Sequence, residues 1–364
     1  MKEHEFNKYL KKSKLLPVEP QELNPDFCCV AVIPACDELE TIDRTFKSLE
    51  IPANTAVLVV INHPADGSSQ VKNSSRELLQ KFRDGEFSCR NLFWIYAPDL
   101  AGGVGEARKI GMDAVVASQS AATAEQTIIA SLDADTIAEA DYFPAVIAEF
   151  KRDSKIAALA IPFVHQAGAT PAEERAIREY EAYLTRHVAK LSEANSPYAF
   201  QTVGSAFAVR LSSYIRAGGM RIRKGGEDFY FLQAVAKIGV VATGRKVLVH
   251  PSSRPSERVP FGTGPAIKKL ISGGELDEIS DGAFAGLKSL LAISAASGNL
   301  DNAEDFLDKL DPDSSLFLRQ EGFAEAWEKI LANTPKNDQS RRNAFNLWFD
   351  GLKSLRYLHW LDRR

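Results

Sequence analysis

Four short segments of this chain carry side chains that could do chemistry together. The first is Asp133-Ala-Asp135, directly after the apolar run Ile128 to Leu132. Two carboxylates one residue apart at the end of a buried strand can share a hard divalent cation. Mn2+ and Mg2+ take oxygen ligands and bridge protein carboxylates to substrate phosphates. The same spacing recurs in Asp311-Pro-Asp313, in a connection between helical stretches, where turn chemistry accounts for it. The second segment, Gly102-Gly-Val-Gly-Glu-Ala-Arg108, opens a helix after a strand. Glycines there let the backbone approach a ligand and a helix N-terminus favours anions, so Gly103 and Arg108 could face a diphosphate; a surface ion pair is the plainer role for Arg108. The third, Gly225-Gly-Glu227-Asp228, precedes another helix. Acidic residues suit a first helical turn through the dipole, and Asp228 could also serve as a general base toward a hydroxyl. The fourth begins at His250 and runs through Arg254 to Arg258. His250 is either a third metal ligand or a satisfied strand-end histidine, and two arginines in a proline-stiffened loop could clamp phosphates.

These segments need a frame that holds strand ends side by side. Phe27 to Pro34 is a near-continuous apolar run, as are Ala56 to Ile61, Leu92 to Tyr96 and Thr127 to Leu132. Such runs suit strands buried on both faces of a parallel sheet. Between them, helical spacing is read over Glu38 to Leu49, Ser74 to Phe82 and Gly105 to Ala117. Regular alternation of this kind means βα units and a doubly wound α/β sheet. Further strands are expected over Ile156 to Val164, Val203 to Val209 and Val240 to Val249, with helices over Pro171 to Ala194 and Phe229 to Ile238. From Gly264 onward helical spacing dominates, for example Phe345, Trp348, Leu352, Leu355 and Leu358, which implies an all-helical appendage.

The chain has 364 residues, with 44 basic against 48 acidic side chains, a net charge of -4 that argues against nucleic-acid binding. Cys28, Cys29, Cys36 and Cys89 form no CxxC pair and read as small buried hydrophobes of a reducing compartment. The lysine-rich leader lacks a signal peptide's apolar region, and no stretch reaches the ~18 apolar residues of a membrane span, so a cytoplasmic protein is expected. Trp348, Trp360, Arg356, Arg363 and Arg364 near the end could touch a lipid surface, although core packing is the commoner use of such a stripe. A nicotinamide-dependent oxidoreductase is disfavoured. The first turn, Pro34-Ala-Cys-Asp-Glu38, has no glycine, and Arg108 stands where a dinucleotide fingerprint wants Gly or Ala.

In order, these pieces resemble glycosyltransferase family 2 and its relatives with the GT-A fold. Val30 to Ile42 looks like that family's opening strand and acidic turn, Gly103-Val-Gly-Glu-Ala-Arg108 like its glycine-arginine helix start, and Leu132 to Asp135 like its DxD element. Gly204 to Arg210 and Gly218-Gly219 look like the acceptor-side segment before the Glu227-Asp228 pair. The resemblance spans Cys28 to Gly264 and departs from the family where the second strand ends Asn62-His63 instead of in two aspartates. It implies a GT-A-like sheet with a base-contacting pocket at Pro34, Ala35, Asp37, Glu38 and Asn62, Asp133 and Asp135 around the donor, and Asp135 as the direct metal ligand. It also makes Asp228 the base of a displacement, with Glu227 beside it. The implied activity is metal-dependent transfer of a sugar from a nucleotide-diphosphate donor to an acceptor hydroxyl, inverting if Asp228 is the base. A non-catalytic nucleotide-sugar binder or scaffold on the same fold is the alternative. The acceptor, whether glycan, lipid-linked or small molecule, is left open. The corresponding division is residues 1–27 as a polar extension, 28–135 as the nucleotide-sugar-binding half, 136–263 as the acceptor-side half and 264–364 as the helical region.

Overall fold

The longest apolar runs become the centre of a seven-stranded sheet. In chain order the strands are β1 (Cys29–Ala35), β2 (Thr55–Pro64), β3 (Leu92–Leu100), β4 (Ile128–Ser131), β5 (Ile137–Ala138), β6 (Ile156–Ala160), β7 (Phe207–Arg210), β8 (Val240–Thr243) and β9 (Val249–His250). The large sheet runs β3-β2-β1-β4-β7-β6-β8, and β5 with β9 forms a separate two-stranded piece. Only β7 is antiparallel to its neighbours β4 and β6; the other pairings of the large sheet are parallel. This is the doubly wound, mostly parallel architecture expected. Every residue of β1 is buried, as is all of β2 up to His63. At about 1.5–3 kcal/mol for each fully buried Val or Ile, these two strands anchor the core.

The computed structural model describes residues 1–13, 23–87, 89–255 and 262–364 and separates into two compact units. Residues 1–181 and 200–274 form the first, which holds the sheet and the helices α1 (Glu3–Lys12), α2 (Ile42–Ser48), α3 (Ser69–Arg83), α4 (Gly103–Ser118), α5 (Tyr142–Arg152), the first part of α6 (Pro171–Glu193), α7 (Leu211–Arg216), α8 (Glu227–Ala236) and α9 (Thr263–Ile271). Helix α1 turns Phe6 and Tyr9 inward, and Asp113 of α4 accepts hydrogen bonds from Tyr9 (2.6 Å) and Tyr214 (2.8 Å). The run expected as one strand over Val240 to Val249 is instead two short strands in different sheets, interrupted at Gly244-Arg-Lys246.

Residues 182–199 and 275–364 form the second unit, all helical: the end of α6 with α10 (Asp281–Ala295), α11 (Ala303–Leu307), α12 (Pro312–Gln320), α13 (Phe323–Asn333), α14 (Asp338–Trp348) and α15 (Gly351–Asp362). Its centre is aromatic, with Phe306 against Phe323, Trp327 and Phe345 at centroid distances of 4.8, 5.0 and 5.4 Å. Trp348 packs on Phe323 and Phe345, and the Trp360 indole donates to the Asp313 carbonyl, so the terminal tryptophans serve this core. Asp311 caps α12, accepting from the backbone of Asp313 and Ser314, which is the turn role expected for Asp311-Pro-Asp313. Among the described residues no helix is long and apolar enough to cross a membrane. All four cysteines are free thiols; Cys29 is buried and the other three are partly buried.

Candidate active site

Parallel β1, β2, β3 and β4 end at one edge of the sheet, and four of the sequence segments follow from those ends. Asp37 and Glu38 come after β1, Asn62 lies in the last turn of β2, Gly102 to Arg108 follow β3, and Asp133 and Asp135 follow β4. Because Ala35 lies opposite Ile61 in the register, Asn62 sits just beyond Pro34 and Ala35 at the same edge. The antiparallel strand completes the gathering. Ser131 pairs with Phe207, so the residues entering β7 meet the residues leaving β4, and the Ser131 hydroxyl donates to the Gly204 carbonyl at 2.7 Å.

Arg108 is the hub on one side. Its guanidinium is 3% exposed and forms ion pairs with Asp133 and with Glu227, the first residue of α8. Burial works to lower its pKa, but Asp133, Glu227 and Asp228 together outweigh that and hold it firmly charged. Its Nε is buried with no acceptor among the described residues. Gly204 lies flat on the guanidinium, where a Cβ would overlap it. Asp228 is partly buried and accepts from the Phe229 backbone at 2.7 Å. Burial and then the neighbouring Glu227 carboxylate push the Asp228 carboxyl up to about 7, against the pull of Arg108.

Arg254 is the hub on the other side. It pairs with Glu38 and, at 3.0 Å, with Asp135, and its own side chain is 37% exposed. Glu38 is buried and also accepts from the Thr41 hydroxyl at 2.6 Å, while Asp37 adopts a left-handed backbone with φ 56. Arg258, the second arginine of that loop, lies outside the described residues.

Several expected residues face elsewhere. His250 sets Nδ1 2.8 Å from the Val164 carbonyl and Nε2 2.8 Å from the Glu139 carboxylate. The Asn62 side chain donates to the Val60 carbonyl of its own strand at 2.9 Å. At the start of α4, the Glu106 carboxylate accepts from the backbone of Ala101 (3.0 Å) and Gly102 (2.7 Å), so the helix already supplies an anion to its own N-terminus. The glycines there serve close packing. A Cβ on Gly105 would stand 2.6 Å from the Arg223 carbonyl, and one on Gly103 would stand 3.3 Å from the Lys224 Cα. Among the described residues no group of three His, Cys, Asp or Glu side chains is arranged to hold a metal ion.

Two residues of the site gave no signal in the sequence. Gln166 donates to the carbonyls of Asp135 (2.7 Å) and His250 (2.8 Å), tying the DxD turn to β9. Thr45 of α2 holds the Ala134 carbonyl at 2.9 Å. Nothing about an isolated glutamine or threonine announces such a contact.

No family model matches the chain, and no curated protein matches it in sequence. Among solved structures it resembles residues 1–349 of S. aureus TarS in complex with UDP-GlcNAc, with 13% identity, 88% of this chain and 89% of that one covered, and a TM-score of 0.44. It also resembles the mannosyltransferase PcManGT from Pyrobaculum calidifontis in complex with GDP-Man and Mn2+, with 14% identity, 95% of each chain covered and a TM-score of 0.42. A third is the glucosyl-3-phosphoglycerate synthase from Mycobacterium tuberculosis in complex with UDP, with 13% identity, 69% and 82% covered and a TM-score of 0.40. At that level of similarity the chain's own residues have to carry any assignment.

Proposed function

We propose that this chain is a glycosyltransferase that moves a sugar from a nucleotide-diphosphate donor to an acceptor hydroxyl. One observation carries the reading: segments far apart in sequence meet at a single sheet edge, Asp133 with Glu227 through Arg108 and Asp135 with Glu38 through Arg254. In an open α/β sheet the crevice beyond the strand C-termini is where ligands bind. Residues 28–135 would supply the donor side, with Pro34, Ala35, Asp37 and Glu38 nearest the base and Asn62 joining them on releasing the Val60 carbonyl, and residues 136–263 would supply the acceptor side.

The two carboxylates of the DxD turn fit a divalent cation held by one or two protein oxygens and completed by substrate phosphates and water. Asp135 is the choice because its arginine partner is half-exposed and can be displaced, whereas Asp133, although itself the more exposed carboxylate (37% against 17%), is tied to the buried Arg108. His250 would have to leave Glu139 to join them. When bound, Mn2+ or Mg2+ would neutralise charge on the departing diphosphate. Arg254 sits beside Asp135 and would add to that stabilisation. Asp228 would take the proton of the acceptor hydroxyl as its oxygen attacks the anomeric carbon and the bond to the diphosphate breaks, inverting that carbon. A carboxyl raised to about 7 is a stronger base than an ordinary aspartate and is still about half ionised at neutral pH. The test is UDP or GDP release with Mn2+ across common sugar nucleotides, with the product anomer read by NMR. Release of neither nucleotide from any donor, with or without metal, rejects the proposal.

A further inference from the structure

Both described arginines that hold the candidate site together are already engaged by carboxylates, Arg108 by Asp133 and Glu227, Arg254 by Glu38 and Asp135. A third group of cations at the same site is not. Between Gly219 and Gly226, both at positive φ (74 and 69), the chain reads Met220-Arg-Ile-Arg-Lys-Gly225. Arg221, Arg223 and Lys224 are exposed, and among the described residues none of them forms an ion pair. Arg223 lies over the Tyr230 ring at 3.8 Å, which fixes a guanidinium without neutralising it. The loop's position is set by packing: Ile222 and Arg223 close on Gly102 and Gly105, where a Cβ would collide, and Lys224 lies close on Gly103, where one would stand 3.3 Å from its Cα. It then runs straight into Glu227 and Asp228. Asp228 is five positions on from Arg223, a stretch that spans at most about 18 Å.

We infer that this loop receives an anionic group of the acceptor, a phosphate or carboxylate carried by the molecule whose hydroxyl Asp228 addresses. The inference rests on the transferase reading for the word acceptor, but the anion site itself does not. Unpaired cations clustered beside a site raise the local concentration of anions, an effect that salt screens. The donor's diphosphate is a poorer occupant, because the loop belongs to the segment that delivers Asp228, while the donor carboxylates are reached through Arg108 and Arg254.

The experiment compares the full chain with a variant carrying Arg221→Gln, Arg223→Gln and Lys224→Gln. All three positions are exposed, so folding should survive, and circular dichroism checks it. A second variant, Lys8→Gln, Lys11→Gln and Lys12→Gln on α1, removes the same charge from exposed positions outside the site. Inorganic phosphate is titrated calorimetrically into each, and UDP and GDP in parallel. We expect the loop variant to bind phosphate about tenfold more weakly at low salt, as the loss of a few exposed charge contacts implies. The α1 variant and the nucleotide affinities should be unchanged. Equal phosphate binding by all three proteins overturns the anion site, and nucleotide affinity falling with phosphate affinity overturns its assignment to the acceptor. Co-sedimentation with phosphatidylcholine vesicles, with and without phosphatidylglycerol, then tells a lipid headgroup from a free anion, since only the former gives loop-dependent retention. If no donor turns over but phosphate binding depends on the loop, the transferase reading fails and the anion site stands.

Discussion

Two arginine clusters hold the two carboxylates after β4, and their guanidiniums differ in access to water. The Arg108 guanidinium is 3% exposed and the Arg254 side chain 37%; each holds one closed carboxylate, Glu227 at 4% and Glu38 at 8%, and one more open one, Asp133 at 37% and Asp135 at 17%. A buried ion pair loses its hydration for good and punishes removal of one partner, while an exposed pair contributes little and exchanges partners freely. The closed cluster therefore reads as architecture that aligns the DxD turn with α8. The open cluster reads as the place where an incoming phosphate or cation can displace an ion pair.

The largest expected effect breaks the comparison most directly. Arg108→Met leaves Glu227 and Asp133 without their cation and should cost about 3–5 kcal/mol in a urea titration, whereas Arg254→Met, which leaves the buried Glu38 its Thr41 hydrogen bond, should cost about 1–3 kcal/mol. Equal losses would erase the distinction. Next, Asp228→Asn should lower kcat by about 10²–10⁴ with the fold intact, measured as nucleoside diphosphate release. The pH dependence has a definite sign. Because the folded carboxyl is raised to about 7, wild-type activity should climb with pH through that value, and the limb should vanish in the variant. Stability should move the other way, declining as pH rises from about 4 toward 7, because an unfolded aspartate ionises near 3.9 and the folded one holds its proton longer. Asp135→Ala should reduce Mn2+-supported release by about 10²–10³ while leaving the unfolding midpoint in place, and EDTA should mimic it. Full activity in EDTA would remove the cation from the open cluster. The smallest effect sharpens the closed one: Gly204→Ala forces the Arg108 guanidinium aside and should cost about 1–3 kcal/mol, with rescue by Arg108→Lys, whose ammonium is narrower.

How much of this was legible beforehand depends on whether a feature is local. β1 and β2 declared themselves because strands buried on both faces need unbroken apolar runs, and α4 because its spacing continues past its glycines. Helix α5 was missed although it buries Tyr142, Phe143, Val146 and Phe150, and short α7 was missed as well. The acidic and glycine segments were found by type and order. Their partners were not, since Arg108 and Glu227 are 119 residues apart, and His250 and Glu139 are 111 apart. The choice Arg108 makes between diphosphate and carboxylate is written in the register of β4 against β7, which no window of sequence contains.

Helix α6 has one more implication. It starts in the sheet-bearing unit, where Ala176 and Ile177 pack with Ile267, and finishes among the terminal helices, where Leu191 and Ala194 are buried. The division between the two units falls within this helix, after Glu181. Deleting everything after residue 274 would strip Leu191 and Ala194 of their cover and leave the end of α6 an exposed apolar patch prone to self-association.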